Sequence, residues 1–341
     1  MRHSSDFKNS VPATGSVIEV VPGILWARLA LPFALNHVNV YMLDDGPGWT
    51  IFDTGIGNAA TEAAWTQLLA GPLAGRPVTR VISSHHHPDH IGMAGWLTRR
   101  LDIPLYMIET EYLIALHYSM HREALEGPPF QRLYRRHGFS ADEVTKLIGE
   151  GHGYQALITG VPDWFERLQP GKAIAIGGRS FEIFGGGGHS SQQVMLHCRA
   201  DGVFLGADQV LPRITPNIAV AAIEPTGDPL ARYLQSLAEI RAAVPDGTLV
   251  LPGHDWPFAT LHARIDELVA HHHARCAIVV EQCSRQPMQV LDLVPHLFKR
   301  ALDWHQMSFA FSETLAHVNY LVEAGRLRWI VSDGGWLADA A

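Results

Sequence analysis

The stretch Val81-Ile82-Ser83-Ser84-His85-His86-His87-Pro88-Asp89-His90-Ile91 decides how the rest of the chain is read. Val78, Val81 and Ile82 have the apolar, β-branched character of a buried strand, and Pro88 cannot continue a ladder, so the chain must turn there. Four imidazoles and a carboxylate crowd into the six residues of that turn. Neutral imidazole and carboxylate are the ligand types of zinc and related divalent ions, whereas the same groups gathered without a cation would repel or waste solvation. The composition therefore points to a metal site, against the competing reading of a histidine-rich surface loop that takes up ions adventitiously.

Three later stretches work the same way. Gly185-Gly186-Gly187-Gly188-His189, Val203 to Asp208 and Leu249 to His254 each place one candidate ligand directly after an apolar run or a glycine turn. In a layered α/β fold such strand ends gather along one sheet edge, so ligands spread from His85 to His254 can converge. The glycine run lets the backbone pass close to a site. It is not followed by the Lys-Ser/Thr that a phosphate loop requires.

Taken together, these residues resemble the metallo-β-lactamase superfamily. His85-His86-His87-Pro88-Asp89-His90 matches its His-x-His-x-Asp-His signature, and His189, Asp208 and His254 follow in that family's order. The resemblance covers residues 15–262 and implies an αββα sandwich. It also implies that His85, His87 and His189 hold one ion, that Asp89, His90 and His254 hold a second, and that Asp208 bridges them. Asp53, in Ile51-Phe52-Asp53-Thr54-Gly55, matches the family's Asp-Thr-Gly turn and is expected just behind the ligands; on its own it reads as a turn aspartate at a strand end. Asp89, as a proton relay, and Asp53 make up the expected catalytic pair. The implied cofactor is two divalent ions, zinc first and iron or manganese as alternatives. Such a pair would lower the pKa of a shared water to about 7, giving hydroxide to attack a carbonyl, while one ion steadies the oxyanion.

That apparatus suits thioesters, lactones, amides or phosphodiesters. Leu211 stands where the quorum-quenching lactonases carry a tyrosine, and His189-Ser190-Ser191-Gln192-Gln193 replaces the second-histidine segment of many glyoxalase-II-like members. A bridging Asp208 also speaks against an antibiotic-degrading role. What remains resembles thioesterase-like and β-lactamase-like-2 members with a helical tail, so the leading expectation is a hydrolase of small acyl thioesters or related esters. The alternatives are a lactonase or β-lactam hydrolase, an endoribonuclease, and a persulfide dioxygenase holding one iron by two His and one Asp. Candidate substrate contacts are His37 beside the site, Tyr118 and Trp164, and Arg213, for which a surface salt bridge competes.

Composition sets the outer bounds. The 341 residues are 47% hydrophobic and 18% charged, enough for one large domain and a smaller appendage. A formal net charge of −8 argues against a nucleic-acid partner. Cys198, Cys276 and Cys283 lack zinc spacing and read as packing residues of a reducing compartment. The polar residues 1–14 lack a secretory signal and are expected to fray, no run approaches a membrane span, and a cytoplasmic protein that could form a homodimer is expected. Residues 109–168, rich in aromatics and interrupted by Gly127-Pro128-Pro129, read as a helical insertion that could serve as a lid over the site. From residue 263 helices dominate, and the order helix, Gly325, strand, Asp333-Gly334-Gly335 turn is like a winged helix. Residues 260–341 nevertheless hold seven Lys/Arg against nine Asp/Glu, which favours a structural or dimerising role. His271-His272-His273 falls within a helix, where neighbouring side chains fan around the cylinder, so the three are expected to be solvated.

Overall fold

The computed structural model describes residues 4–149, 153–332 and 334–341; residues 1–3, 150–152 and Asp333, the first residue of the turn expected from the sequence, lie outside the described set. Two compact units emerge. One contains the chain up to Met120, Tyr154–Pro216 and Ser236–Arg264, and the other contains His121–Gly153, Asn217–Gln235 and Ile265–Ala341.

The first unit is the αββα sandwich. Its seven-stranded sheet follows chain order: β1 (Ile18–Val21), β2 (Ile24–Ala30), β3 (His37–Asp45), β4 (Gly48–Phe52), β5 (Val78–Ile82), β6 (Leu105–Met107) and β7 (Glu166–Arg167). β1 to β4 pair antiparallel, joined at Asp45↔Gly48 by a tight turn, and β4 to β7 pair parallel. The second sheet runs β12 (Leu249–Pro252), β11 (Val203–Ala207), β10 (Gln193–Cys198), β9 (Arg179–Gly186) and β8 (Ala173–Ile176), with only β11 and β12 parallel.

Side-chain alternation explains the layering. Along β3, Tyr41 and Leu43 face a core shared with Phe181, Leu196 and Leu205 of the second sheet. Val38, Val40 and Met42 face the opposite side, where they meet Trp65 and Leu68 of the helix Ala59–Ala70 and Leu97 of the helix Ala94–Leu101. A strand buried on both faces carries apolar residues on both, as Val38, Val40, Tyr41, Met42 and Leu43 do along β3. Asn58 caps the first of these helices, its Oδ1 accepting from the Thr61 N–H at 2.8 Å.

Three expectations change here. Ser4–Asn9 form a helix rather than a frayed end, because Phe7 is buried in the inter-sheet core with its ring 6.4 Å from Trp26. The expected insertion 109–168 is not one body. Tyr112 stacks on Phe165 at 4.0 Å within the sandwich unit, whereas Tyr134 and Phe139 pack against Phe311, and Phe130 against Tyr134, in the second unit. Aromatic partners distant in sequence divide the segment. Finally, His272 is not solvated: it is fully buried, packed 5.4 Å from the Tyr233 ring, while His273 is exposed.

The second unit holds the helices Val290–Leu297 and Trp304–Glu323, most of the helix Leu261–Cys283, and the hairpin β13 (Leu327–Ser332) and β14 (Gly335–Ala340). Gly325, at φ 67°, ends the long helix: its N–H bonds the Val322 carbonyl, and the Arg326 N–H bonds that of Leu321. The three cysteines are free and buried, and no helix among the described residues is long and apolar enough to cross a membrane.

Candidate metal centre

The residues predicted for the centre lie past strand ends, with Asp89 and His90 on the short helix Pro88–Ile91 that follows β5. Asp53 follows β4, His85 lies three residues after the end of β5, Asp208 follows β11 and His254 lies two residues after β12. Asp53, Ala207 and Asp255 have φ of 62°, 44° and 64°, conformations rare for non-glycine residues. Such strain persists only where surrounding contacts over-determine it, and here all three positions flank the ligand set.

The side chains converge as two overlapping sets. His85 Nε2 lies 2.9 Å from His87 Nδ1, which lies 3.1 Å from His189 Nε2. Asp89, His90 and His254 form the second set, with Asp89 Oδ2 3.6 Å from His90 Nε2 and 3.5 Å from His254 Nε2. Asp208 Oδ2 stands among them, 3.3 Å from His189, 3.4 Å from His90 and 3.2 Å from His254.

Hydrogen bonding determines which ring nitrogen of each ligand is bare. The Asp53 carboxylate can only accept, so His90 Nδ1 at 2.9 Å from its Oδ2 carries the proton and Nε2 faces the site. The Ser84 hydroxyl likewise donates to Asp53 Oδ2 at 2.9 Å, so it accepts from His85 Nδ1 at 2.9 Å and leaves His85 Nε2 bare. His254 Nδ1 donates to the His37 carbonyl at 2.8 Å, with the same result. Three lone pairs are therefore aimed inward by groups that are not ligands, the arrangement that orients metal-binding imidazoles.

These residues fit a pair of cations. His90 Nε2 and Asp208 Oδ1 are buried without a hydrogen-bond partner. A Cβ on Gly253 would collide with Asp208 Oδ1 and reach His90 Cε1 at 2.9 Å, so only glycine lets the β12 turn pass this close. Burial and the neighbouring imidazoles hold His85 and His87 well below the ordinary histidine value. Burial opposes charge on His90 as well, but Asp208, Asp89 and Asp53 outweigh it and raise that group. Burial likewise opposes ionisation of Asp208, yet His254 and His90 hold it well below the carboxylate range.

The remaining predicted residues stand further back. Asp53 touches His90 and Ser84 and so acts as a positioning residue. His37 is also committed: Nε2 accepts from the Asp255 N–H at 2.8 Å, Nδ1 donates to Asn36 Oδ1 at 2.8 Å, and burial, then Arg28, lower its pKa to about 4. Arg213 pairs with Asp255 Oδ1 at 2.9 Å. Tyr118 packs 5.6 Å from both the His86 and Tyr154 rings, whereas Trp164 is 58% exposed.

Other residues serve the site without a signal in the linear pattern. Buried Glu111 accepts from the His86 N–H at 3.0 Å and the Gln192 N–H at 2.6 Å, and its Oε2 lies 2.6 Å from His86 Nδ1, so one carboxylate pins both ligand loops. Gln193 Oε1 accepts from the Asp208 N–H at 3.1 Å, and Gln209 Nε2 donates to the Gly187 carbonyl at 3.0 Å. Periodicity could mark Glu111 only as a polar residue early in a helix.

Comparison with known proteins agrees with this geometry. A profile described as Metallo-beta-lactamase superfamily matches residues 34–254, and one described as Metallo-beta-lactamase-like, C-terminal domain, matches residues 276–337. The chain belongs to the metallo-β-lactamase superfamily and is one of its metallo-hydrolase enzymes. A beta-lactamase domain protein from Burkholderia ambifaria is 38% identical, with a TM-score of 0.90 over 98% of this chain and 96% of that one. A probable metallo-hydrolase, YqjP of Bacillus subtilis, is 24% identical over 87% of this chain and 92% of its own length. A hydroxyacylglutathione hydrolase of Halorhodospira halophila is 29% identical over 62% of this chain and 75% of its own.

Proposed function

We propose that this enzyme is a dinuclear metal hydrolase, zinc-dependent, acting on a small acyl thioester or related ester. The observation that carries the reading is Asp208 Oδ2, within 3.4 Å of imidazole nitrogens from both ligand sets. In this reading His85, His87 and His189 hold one ion, Asp89, His90 and His254 the other, and Asp208 both. A bound pair of divalent ions would supply a nucleophilic water near neutral pH and polarise the substrate carbonyl.

This chain's own residues do the remaining work. Asp53, through Ser84 and His90, and the His37 carbonyl hold the Nδ1 proton of the ligand imidazoles, so that Nε2 is the nitrogen turned towards an ion. Asp89 is 21% exposed where Asp208 is 6%, so Asp89 is the carboxylate that can pass a proton between solvent and a leaving thiolate. The named activity of the Halorhodospira relative, towards an acyl group carried on glutathione, supports a thioester substrate.

The test is a hydrolysis panel of acyl-CoA and acyl-glutathione thioesters, a lactone, a β-lactam and RNA, run with native, chelated and reconstituted protein. Thioester cleavage that chelation abolishes and zinc restores is the expected result. Cleavage confined to the lactone, β-lactam or RNA would replace the substrate class, and oxygen consumption with a persulfide in iron-loaded protein would replace the reaction.

A further inference from the structure

The helical unit contains a second meeting of imidazole and carboxylate, separate from the ligands above. His271 and His272 lie on the helix Leu261–Cys283, and Glu313 and His317 lie on the helix Trp304–Glu323. One candidate ligand atom from each of His271, His272 and Glu313 falls within 4.8 Å of the other two.

Proton positions follow by elimination. The main-chain carbonyl of Glu313 can only accept, so His317 Nδ1, 2.7 Å away, carries a proton. A neutral His317 then has a bare Nε2, and His272 Nδ1 at 3.1 Å must donate to it. His272 is left with an unprotonated Nε2 that has no hydrogen-bond partner, on a residue of 0% exposure. Burial keeps both rings neutral, holding His317 at about 4 and His272 at about 2. On the carboxylate side, Arg275 Nη1 bonds Glu313 Oε1 at 2.8 Å and fixes the orientation of that group.

We propose that His271, His272 and Glu313 form a mononuclear site for a divalent transition ion of the zinc class, with His317 setting the donor tautomer of His272 from behind. Two imidazoles and one carboxylate are a known zinc ligand set, and nitrogen donors disfavour magnesium and calcium, which take oxygen. The relay from a backbone carbonyl through one imidazole to another repeats the logic that aims the sandwich ligands. An ion here ties one long helix to the other, so its role is structural. It needs none of the seven residues of the sandwich centre.

The full-length chain carrying His87→Ala, His189→Ala, Asp208→Ala and His254→Ala breaks both ligand sets of the sandwich and isolates the question. After exposure to excess zinc and desalting, elemental analysis should find one retained equivalent. X-ray data at the zinc edge should place an anomalous peak between His271, His272 and Glu313. Adding His272→Gln or Glu313→Gln should remove that equivalent, and adding His273→Gln, at the exposed neighbour, should not. Zinc should also raise the Tm of the isolating variant and lose that effect with Glu313→Gln. If His272→Gln fails to fold, the anomalous map of the wild-type chain decides. A water without anomalous signal at that position, or retention of the equivalent in both added variants, overturns the proposal, and neither result bears on thioester hydrolysis at the sandwich centre.

Discussion

Two groups of buried histidines, one at the edge of the sandwich and one between long helices, reach the same end by different means. In the sandwich the ligands project from turns at strand ends, and separate partners set each tautomer: Asp53 for His90, Ser84 for His85, the His37 carbonyl for His254. In the helical unit a single line of hydrogen bonds from the Glu313 carbonyl through His317 sets His272. The deeper difference is charge. Asp53, Asp89 and Asp208 give the sandwich three carboxylates, whereas Glu313 stands alone and is already paired with Arg275. Turns let many acidic groups face one point, and helices packed side by side do not. The sandwich is therefore built to accumulate positive charge, and the helical site to admit one ion.

The sharpest way to break this contrast is Asp208→Asn. Removing the carboxylate that three imidazoles face should take hydrolysis to background and release metal from the sandwich, as read by turnover and elemental analysis; retained turnover would dissolve the distinction. Asp53→Asn comes next. An amide there points a donor at groups that need an acceptor, and loss of such a supporting partner lowers metal affinity or activity by about 10–100-fold. Competition with a chromogenic chelator measures it, with an unchanged Kd as the contrary result.

The helical unit should respond to acid through a residue that stands apart from either histidine cluster. His137 is buried beside Phe311, Trp329 and Trp336, and burial, then Arg136, lower its pKa to about 4 from 6.5. The unfolded chain takes up a proton that the folded chain refuses. Stability is thus full above pH 6.5 and falls as the pH drops towards 4, by up to about 3 kcal/mol. Urea titrations across that window should show the slope, and His137→Leu should remove this part of it. The smallest effect is expected at Glu111→Gln. The amide can still accept through one oxygen, but one of the His86 and Gln192 N–H groups loses its partner, at a cost of about 1–3 kcal/mol. Metal content should be retained, because Glu111 supports the loops without joining the ligand sets.

The seven candidate ligands that converge in the sandwich could be picked out in the linear chain because few residue types bind divalent ions and their motif is mostly local. Asp53 was visible as a turn, though not as the group that sets two tautomers at once. The strand pattern and the helix Pro229–Ala243 were legible for a similar reason, since period 2 and period 3.6 are properties of neighbouring residues. Glu111, Ser84, Gln193 and Gln209 were not, because a buried polar residue declares its role only through partners far away in sequence. The division of residues 109–168 between two units was equally hidden: Tyr112 and Tyr134 look alike on a helix until Phe165 takes one and Phe311 the other.

The amino-acid sequence by itself determined which side chains can hold metal, on which strand ends they sit, and that the surrounding layers are an αββα sandwich. Only the tertiary structure decided which nitrogen of each imidazole is bare and which carboxylates stand behind the ligands, and only it buried His272 beside His317. Those are matters of direction and distance between segments remote in the chain, and a proton's place on a ring follows from the partner it meets in space.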